Sequence, residues 1–118
     1  MSNVHIALCE VRAYSANGQM VEVPDARLIG TPEVIASSGT TQQATLTATV
    51  GTNIRRTESA LWRIANCGTD HVYAVFGSNP APASIAAAAG TGYAVPAGAV
   101  CYFKVNINSE KVAIINTA

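Results

Sequence analysis

LWRIANCGTDHVYAVFG, residues 61–77, decides the fold. Its two apolar runs, Leu61-Trp62-Arg63-Ile64-Ala65 and Val72-Tyr73-Ala74-Val75-Phe76, read as strands. Between them, Asn66-Cys67-Gly68-Thr69-Asp70 supplies residues that turn the backbone or bond to it locally. The stretch therefore predicts a β-hairpin. Side chains on a strand alternate sides, so Trp62 and Ile64 share one face, and Leu61, Arg63 and Ala65 the other. Trp62 is the single tryptophan of the chain. It can bury roughly 150–250 Å², more than any other side chain present. Trp62 and Ile64 are the expected core anchors, and Arg63 is expected to point outward.

Upstream, residues 4–13 alternate, with Val4, Ile6 and Leu8 on one side and His5, Ala7, Cys9 and Val11 on the other. Asn17-Gly18 is a strong hairpin signal, and residues 19–23 form the expected return strand, stopped by Pro24. Residues 25–30 fit a short strand or an irregular link, Thr31-Pro32 breaks the pattern, and residues 33–36 fit a brief strand. The cleanest alternation spans residues 42–50. It sets Ala44, Leu46, Ala48 and Val50 against Thr45, Thr47 and Thr49, and predicts a strand. Residues 57–60 are long enough only for a helical turn.

Downstream, residues 78–92 (SNPAPASIAAAAGTG) read as a long ordered loop, because five residues of helix propensity cannot sustain a helix alone. Residues 93–95 resume a strand, Pro96-Ala97-Gly98 turns, and residues 99–107 alternate again. Residues 108–111 form another turn, and residues 112–115 a closing strand. About eight short strands without a helix predict an all-β fold, an antiparallel β-sandwich or a jelly-roll-like barrel. The 118 residues fit one domain, 1–118.

Charged residues make up 12% of the chain and hydrophobic residues 49%, against about 25% charged in typical chains. A surface so poor in charge suits coverage by neighbours, which points to a homo-oligomer or a larger assembly. The formal net charge of +0 offers no basic field for nucleic acid. No stretch reaches the roughly 18 apolar residues of a spanning helix, and residues 1–15 lack the pattern of a signal peptide. Cys9, Cys67 and Cys101 are far apart, with no metal-ligand spacing. Free thiols, no cofactor and no metal are expected, in keeping with assembly in a reducing cytosol.

Chemistry is thinly represented. His5 sits among apolar residues and reads as a structural histidine. Cys67, Asp70 and His71 form a possible nucleophile set, but on a turn tip they would lack a supporting shell and oxyanion donors. The seven carboxylates, Glu10, Glu22, Asp25, Glu33, Glu58, Asp70 and Glu110, are scattered and expected to be mostly solvated. No catalytic residue is assigned, and the chain reads as a non-enzyme. Tyr73, Tyr93, Tyr102 and Trp62 could form a sugar-binding platform, although such aromatics more often pack a sandwich.

Trp62, Arg63, Ile64, Asn66, Gly68 and Thr69, then Pro96, Ala97 and Gly98, then Lys111, Val112, Ala113 and Ile115 form an ordered series over residues 61–115. In order and character this half of the chain resembles the small β-sandwich virion proteins of tailed bacteriophages, of the head-decoration (cement) and tail-associated kinds. The resemblance implies a non-enzymatic structural protein made in the host cytoplasm and incorporated into the virion, with major capsid protein or other virion subunits as partners. It implies no catalytic residues. The alternative is a carbohydrate- or receptor-binding β-sandwich module of a phage tail or fibre. The candidate interface is the loop around Ile85, Ala86, Ala87, Ala88 and Ala89, with Ile85 as apolar anchor. The competing expectation is that this loop caps its own sandwich.

Overall fold

A computed structural model describes residues 3–16, 18–38, 42–55, 57–78 and 92–116. Eight strands are present: β1 (Asn3–Ala16), β2 (Gln19–Ala36), β3 (Gln42–Gln43), β4 (Ala60–Asn66), β5 (Val72–Gly77), β6 (Tyr93–Val95), β7 (Val100–Lys104) and β8 (Lys111–Asn116). They form two four-stranded antiparallel sheets, ordered β2-β1-β4-β7 and β3-β8-β5-β6. The fold is an all-β sandwich. The β1–β2 and β5–β6 connections stay within a sheet, and the other connections pass between sheets, as in a jelly roll.

Residues 61–77 do not form the expected hairpin. β4 pairs with β1 and β7, whereas β5 pairs with β6 and β8. The turn residues between them carry the chain from one sheet to the other. The physical reason is that both runs have a full apolar face, and two such strands bury more by facing each other across a core than by lying side by side. Trp62 and Ile64 come from one sheet and Val72 and Ala74 from the other; all four are fully buried in one cluster with Val4, Ile6, Leu8, Val112 and Ile114. Phe76 packs tilted against Trp62, with ring centroids 6.2 Å apart.

The expected break at Pro24 and the separate pieces after it are also corrected. β2 is one strand, with register shifts opposite Ile6/Leu8 and Cys9/Val11. Each shift inserts extra β2 residues, one group containing Pro32. β2 tolerates Pro24 and Pro32 because it is an edge strand, where a missing N–H and a bulge interrupt little of the ladder. Of the hairpin signal at Asn17-Gly18, Asn17 lies outside the described residues; Ala16 pairs with Gln19, and Gly18 has φ 78°. Beyond Glu10, the last β1 residue paired with β4, six further β1–β2 pairs continue with no third strand among the described residues. The molecule is correspondingly elongated, 47 × 27 × 26 Å.

Residues 42–50 make a strand only at Gln42–Gln43. Ala44 and Ala48 are buried, as the alternation requires, but Val50 is exposed. The Ala44 and Ala48 N–H groups donate to Val112 O and Glu110 O, and side chains satisfy much of the backbone between and beyond them. The Glu33 carboxylate accepts the Thr45 N–H at 3.0 Å, the Thr45 hydroxyl at 2.8 Å and the Leu46 N–H at 2.9 Å. Asn53 Oδ1 accepts the Thr49 N–H at 2.9 Å, its Nδ2 donates to Thr47 O at 2.7 Å, and Asn108 Oδ1 accepts the Val50 N–H at 2.8 Å. Residues 57–59 form the expected single turn, a 3-10 turn.

Trp62→Ala should cost about 3–5 kcal/mol, through lost burial and the cavity left behind. Urea unfolding followed by circular dichroism measures this, and the native protein should show a blue-shifted tryptophan emission. Glu33→Ala should cost less, about 1–2 kcal/mol, because the site is partly hydrated and water can replace some of its bonds. Amide hydrogen exchange at Thr45 and Leu46 should rise in that variant.

Candidate functional site

The residues singled out by sequence fall in different places. Trp62 and Ile64 lie at the centre of the core. Ile85, Ala86, Ala87, Ala88 and Ala89, with most of the loop around them, lie outside the described residues. Cys67 and His71 are exposed. His71 Nδ1 accepts the Ala97 N–H at 3.2 Å, and Cys67 Sγ approaches Ala65 O at 3.9 Å, so neither is bonded to the other. His71 ties the β4–β5 crossing to the β6–β7 turn. Asn66 does the same from inside: its Nδ2 donates to Asp70 O at 2.7 Å and to Val95 O at 3.0 Å, and its backbone exchanges bonds with Ala99 and Gly98. The Pro96-Ala97-Gly98 turn is closed by Ala99 N–H donating to Pro96 O, with Gly98 at φ 78°. Among the described residues, no group of three His, Cys, Asp or Glu side chains could hold a metal ion.

Glu110 departs from the expectation of solvated carboxylates. It is 3% exposed. Its Oε1 accepts the Trp62 Nε1–H at 2.8 Å and, at 3.4 Å, the Asn106 N–H. The turn before it is tight, with Ser109 at φ 62°, and the Glu110 carbonyl accepts the Ala48 N–H. The bond to Trp62 spans 48 residues, so no local sequence signal marks it. The one available hint is that a buried Trp needs an acceptor for its N–H.

Glu110 borders a cleft of about 590 Å³, whose walls include Phe76, Tyr93, Phe103, Lys104 and Asn106. The cleft lies between two edge strands of the sandwich, β6 of one sheet and β7 of the other. Tyr93 and Phe103 meet across this gap at 5.3 Å, and Phe76 lies beneath them, 6.2 Å from Tyr93 and 5.1 Å from Phe103. Of the four aromatics considered as a platform, Trp62 is buried, Tyr73 packs with Val75 against Ala113 and Ile115, and Tyr93 and Tyr102 are exposed.

A second grouping lies on the outward face of the β2-β1-β4-β7 sheet. The register places Leu28, Val34, Ala7, Cys9, Leu61, Ala65, Val100 and Tyr102 on that face. Leu28, Val34, Val100 and Tyr102 are exposed. His5, Arg63 and Lys104 are the basic side chains among them.

A double-mutant cycle of Trp62→Phe and Glu110→Ala measures the buried bond. Each change should cost about 1–3 kcal/mol, and together they should cost less than the sum by about 1–2 kcal/mol. Additive urea-unfolding energies would show that the bond contributes nothing. Comparison with family models, curated proteins and solved structures finds no match to this chain.

Proposed function

We propose that the chain is a non-enzymatic bacteriophage virion structural protein, a capsid decoration protein that bridges and stabilises major capsid protein subunits. The observation that carries this reading is the apolar outward face of the β2-β1-β4-β7 sheet. A sheet with one face in water normally alternates apolar and polar residues. Here the second face is apolar too, with Val34 53% and Val100 46% exposed. Leu28 and Val34 on β2, and Val100 and Tyr102 on β7, place exposed apolar side chains at both edges of this face, where a partner surface can cover them.

The β1–β2 hairpin supports the same reading. A two-stranded ribbon is marginal in isolation, and the six pairs beyond Glu10 have no third strand among the described residues. Contact with a neighbouring subunit would order it. The phage setting rests on the resemblance of residues 61–115 to small virion β-sandwich proteins. Many copies bound to an expanded shell, and to one another, would stabilise it by mass action, because they bind the assembled state and not its separated parts.

The test adds purified protein to heads that lack a decoration protein and follows their heat stability. The wild-type chain should raise it. Val34→Asp and Val100→Asp should leave the isolated fold's melting temperature nearly unchanged, because both side chains already face water, and should abolish the gain in head stability. Folded variants that still protect heads as well as wild type, or a wild-type chain that gives no protection, would refute the reading.

A further inference from the structure

We propose that β7 is a self-association edge, where two copies of the chain pair antiparallel about a two-fold axis at Tyr102. The pairing joins their β2-β1-β4-β7 sheets edge to edge. An open sheet edge invites pairing with another chain, and shortness, proline or a bulge blunts it. Three of the four edge strands are blunted in these ways. β3 has two residues, and β6 has three and is followed by Pro96. β2 carries Pro24, Pro32 and two register shifts. β7 has none of these devices. It runs for five residues without proline, pairs one-to-one with β4, and has no strand beyond it among the described residues.

The backbone of β7 supplies the contact. Asn66 N–H donates to Ala99 O, and Val105 N–H donates to Ala60 O. Bonded and non-bonded pairs alternate along an antiparallel ladder. Cys101 and Phe103 therefore bond to β4, and Val100 and Tyr102 turn their N–H and C=O groups to the open edge. Pairing about Tyr102 aligns the full length of both strands and sets Tyr102 opposite its own copy. Val100 and Tyr102 share a face and are each 46% exposed, so their side chains gain burial against the second copy. Charge selects the direction. Lys104, the charged residue of β7, stands at its end. Antiparallel pairing sets each Lys104 opposite Val100 of the other copy, whereas parallel pairing would set the two lysines side by side. A two-fold axis generates the antiparallel arrangement and closes it at two copies. The contact does not depend on what covers the outward face of the sheet.

Sedimentation equilibrium of the purified chain should show monomer and dimer exchanging between about 10 μM and about 1 mM. Tyr102→Pro removes the N–H at the centre of the pair and should be monomeric throughout. Its fold should survive, because an edge strand tolerates proline where the N–H faces outward. Tyr102→Ala keeps that N–H and should still dimerise. Cross-linking gives a second readout, in a Cys67→Ser background that removes the exposed thiol. There Tyr102→Cys should form a disulfide between two copies on mild oxidation. Paired Cα atoms about 5.5 Å apart lie within disulfide range. Val34→Cys, comparably exposed but on β2, should not cross-link. Should Tyr102→Pro not fold, this comparison decides. Val34→Asp should dimerise as wild type does, so loss of head protection and loss of dimerisation are separable. A wild-type chain monomeric at about 1 mM, a folded Tyr102→Pro variant that dimerises as wild type does, or cross-linking as strong at position 34 as at position 102 would overturn the proposal.

Discussion

The hydrogen bond from Trp62 Nε1 to Glu110 Oε1, 2.8 Å long and buried, fixes the relation between the two sheets. Trp62 lies on β4, a central strand of one sheet, and Glu110 immediately precedes β8, a central strand of the other. Burial of the indole ring drives the sheets together without specifying direction. Its N–H cannot be left unpaired in that interior without a penalty, so the ring has one tolerable orientation. The carboxylate has its own constraint, because burying it is costly unless donors reach it. Each group solves the other's problem. The turn that delivers Glu110 needs a positive φ at Ser109, a local strain accepted in exchange for the long-range bond.

The two lateral edges of the sandwich are closed by opposite means. On the β2–β3 side, a carboxylate does the work: Glu33 reaches from β2 to the backbone of Thr45 and Leu46, just past β3. On the β6–β7 side the contact is aromatic, through Tyr93, Phe76 and Phe103. A carboxylate that accepts several N–H groups leaves little to offer a ligand. Rings that meet at an angle fill space less completely, and a cleft remains. The asymmetry follows from which side chains the edges carry, and it places the open side of the molecule at β6 and β7.

What could be read from sequence was what depends on period and turn chemistry. The all-β class, the inward set of Val4, Ile6 and Leu8, and the turns at Gly18 and Gly98 all follow from local patterns. Pairing partners were not legible. Residues 61–77 have the same alternation whether their strands lie side by side or face each other, and the five turn residues fit either geometry. Residues 42–50 alternate perfectly and still make a two-residue strand, because Glu33, Asn53 and Asn108 compete successfully for the backbone. The candidate cleft was hidden for a related reason. Tyr93, Phe103 and Glu110 are brought together by topology, and nothing in their sequence spacing places them at one opening.

The low charge of the chain acquires a physical meaning from this arrangement. A sandwich of this size could hide its apolar residues in one core and dress both outer faces in polar side chains. Instead β1 is buried at Ala7 and Cys9 as well as at Ile6 and Leu8, and β8 at Ala113 and Ile115 as well as at Val112 and Ile114. Strands apolar on both sides belong in the interior of a multilayer structure. On the β2-β1-β4-β7 sheet the layer that would cover Leu28, Val34, Val100 and Tyr102 is missing from the described chain, since those side chains stand in solvent. A face of this kind gains free energy from a partner surface, and the cleft at β6 and β7 opens to one side of it. Tyr102 and Lys104 belong to this face and also line the cleft, so a partner that covered the face at β7 would cover one wall of the cleft as well.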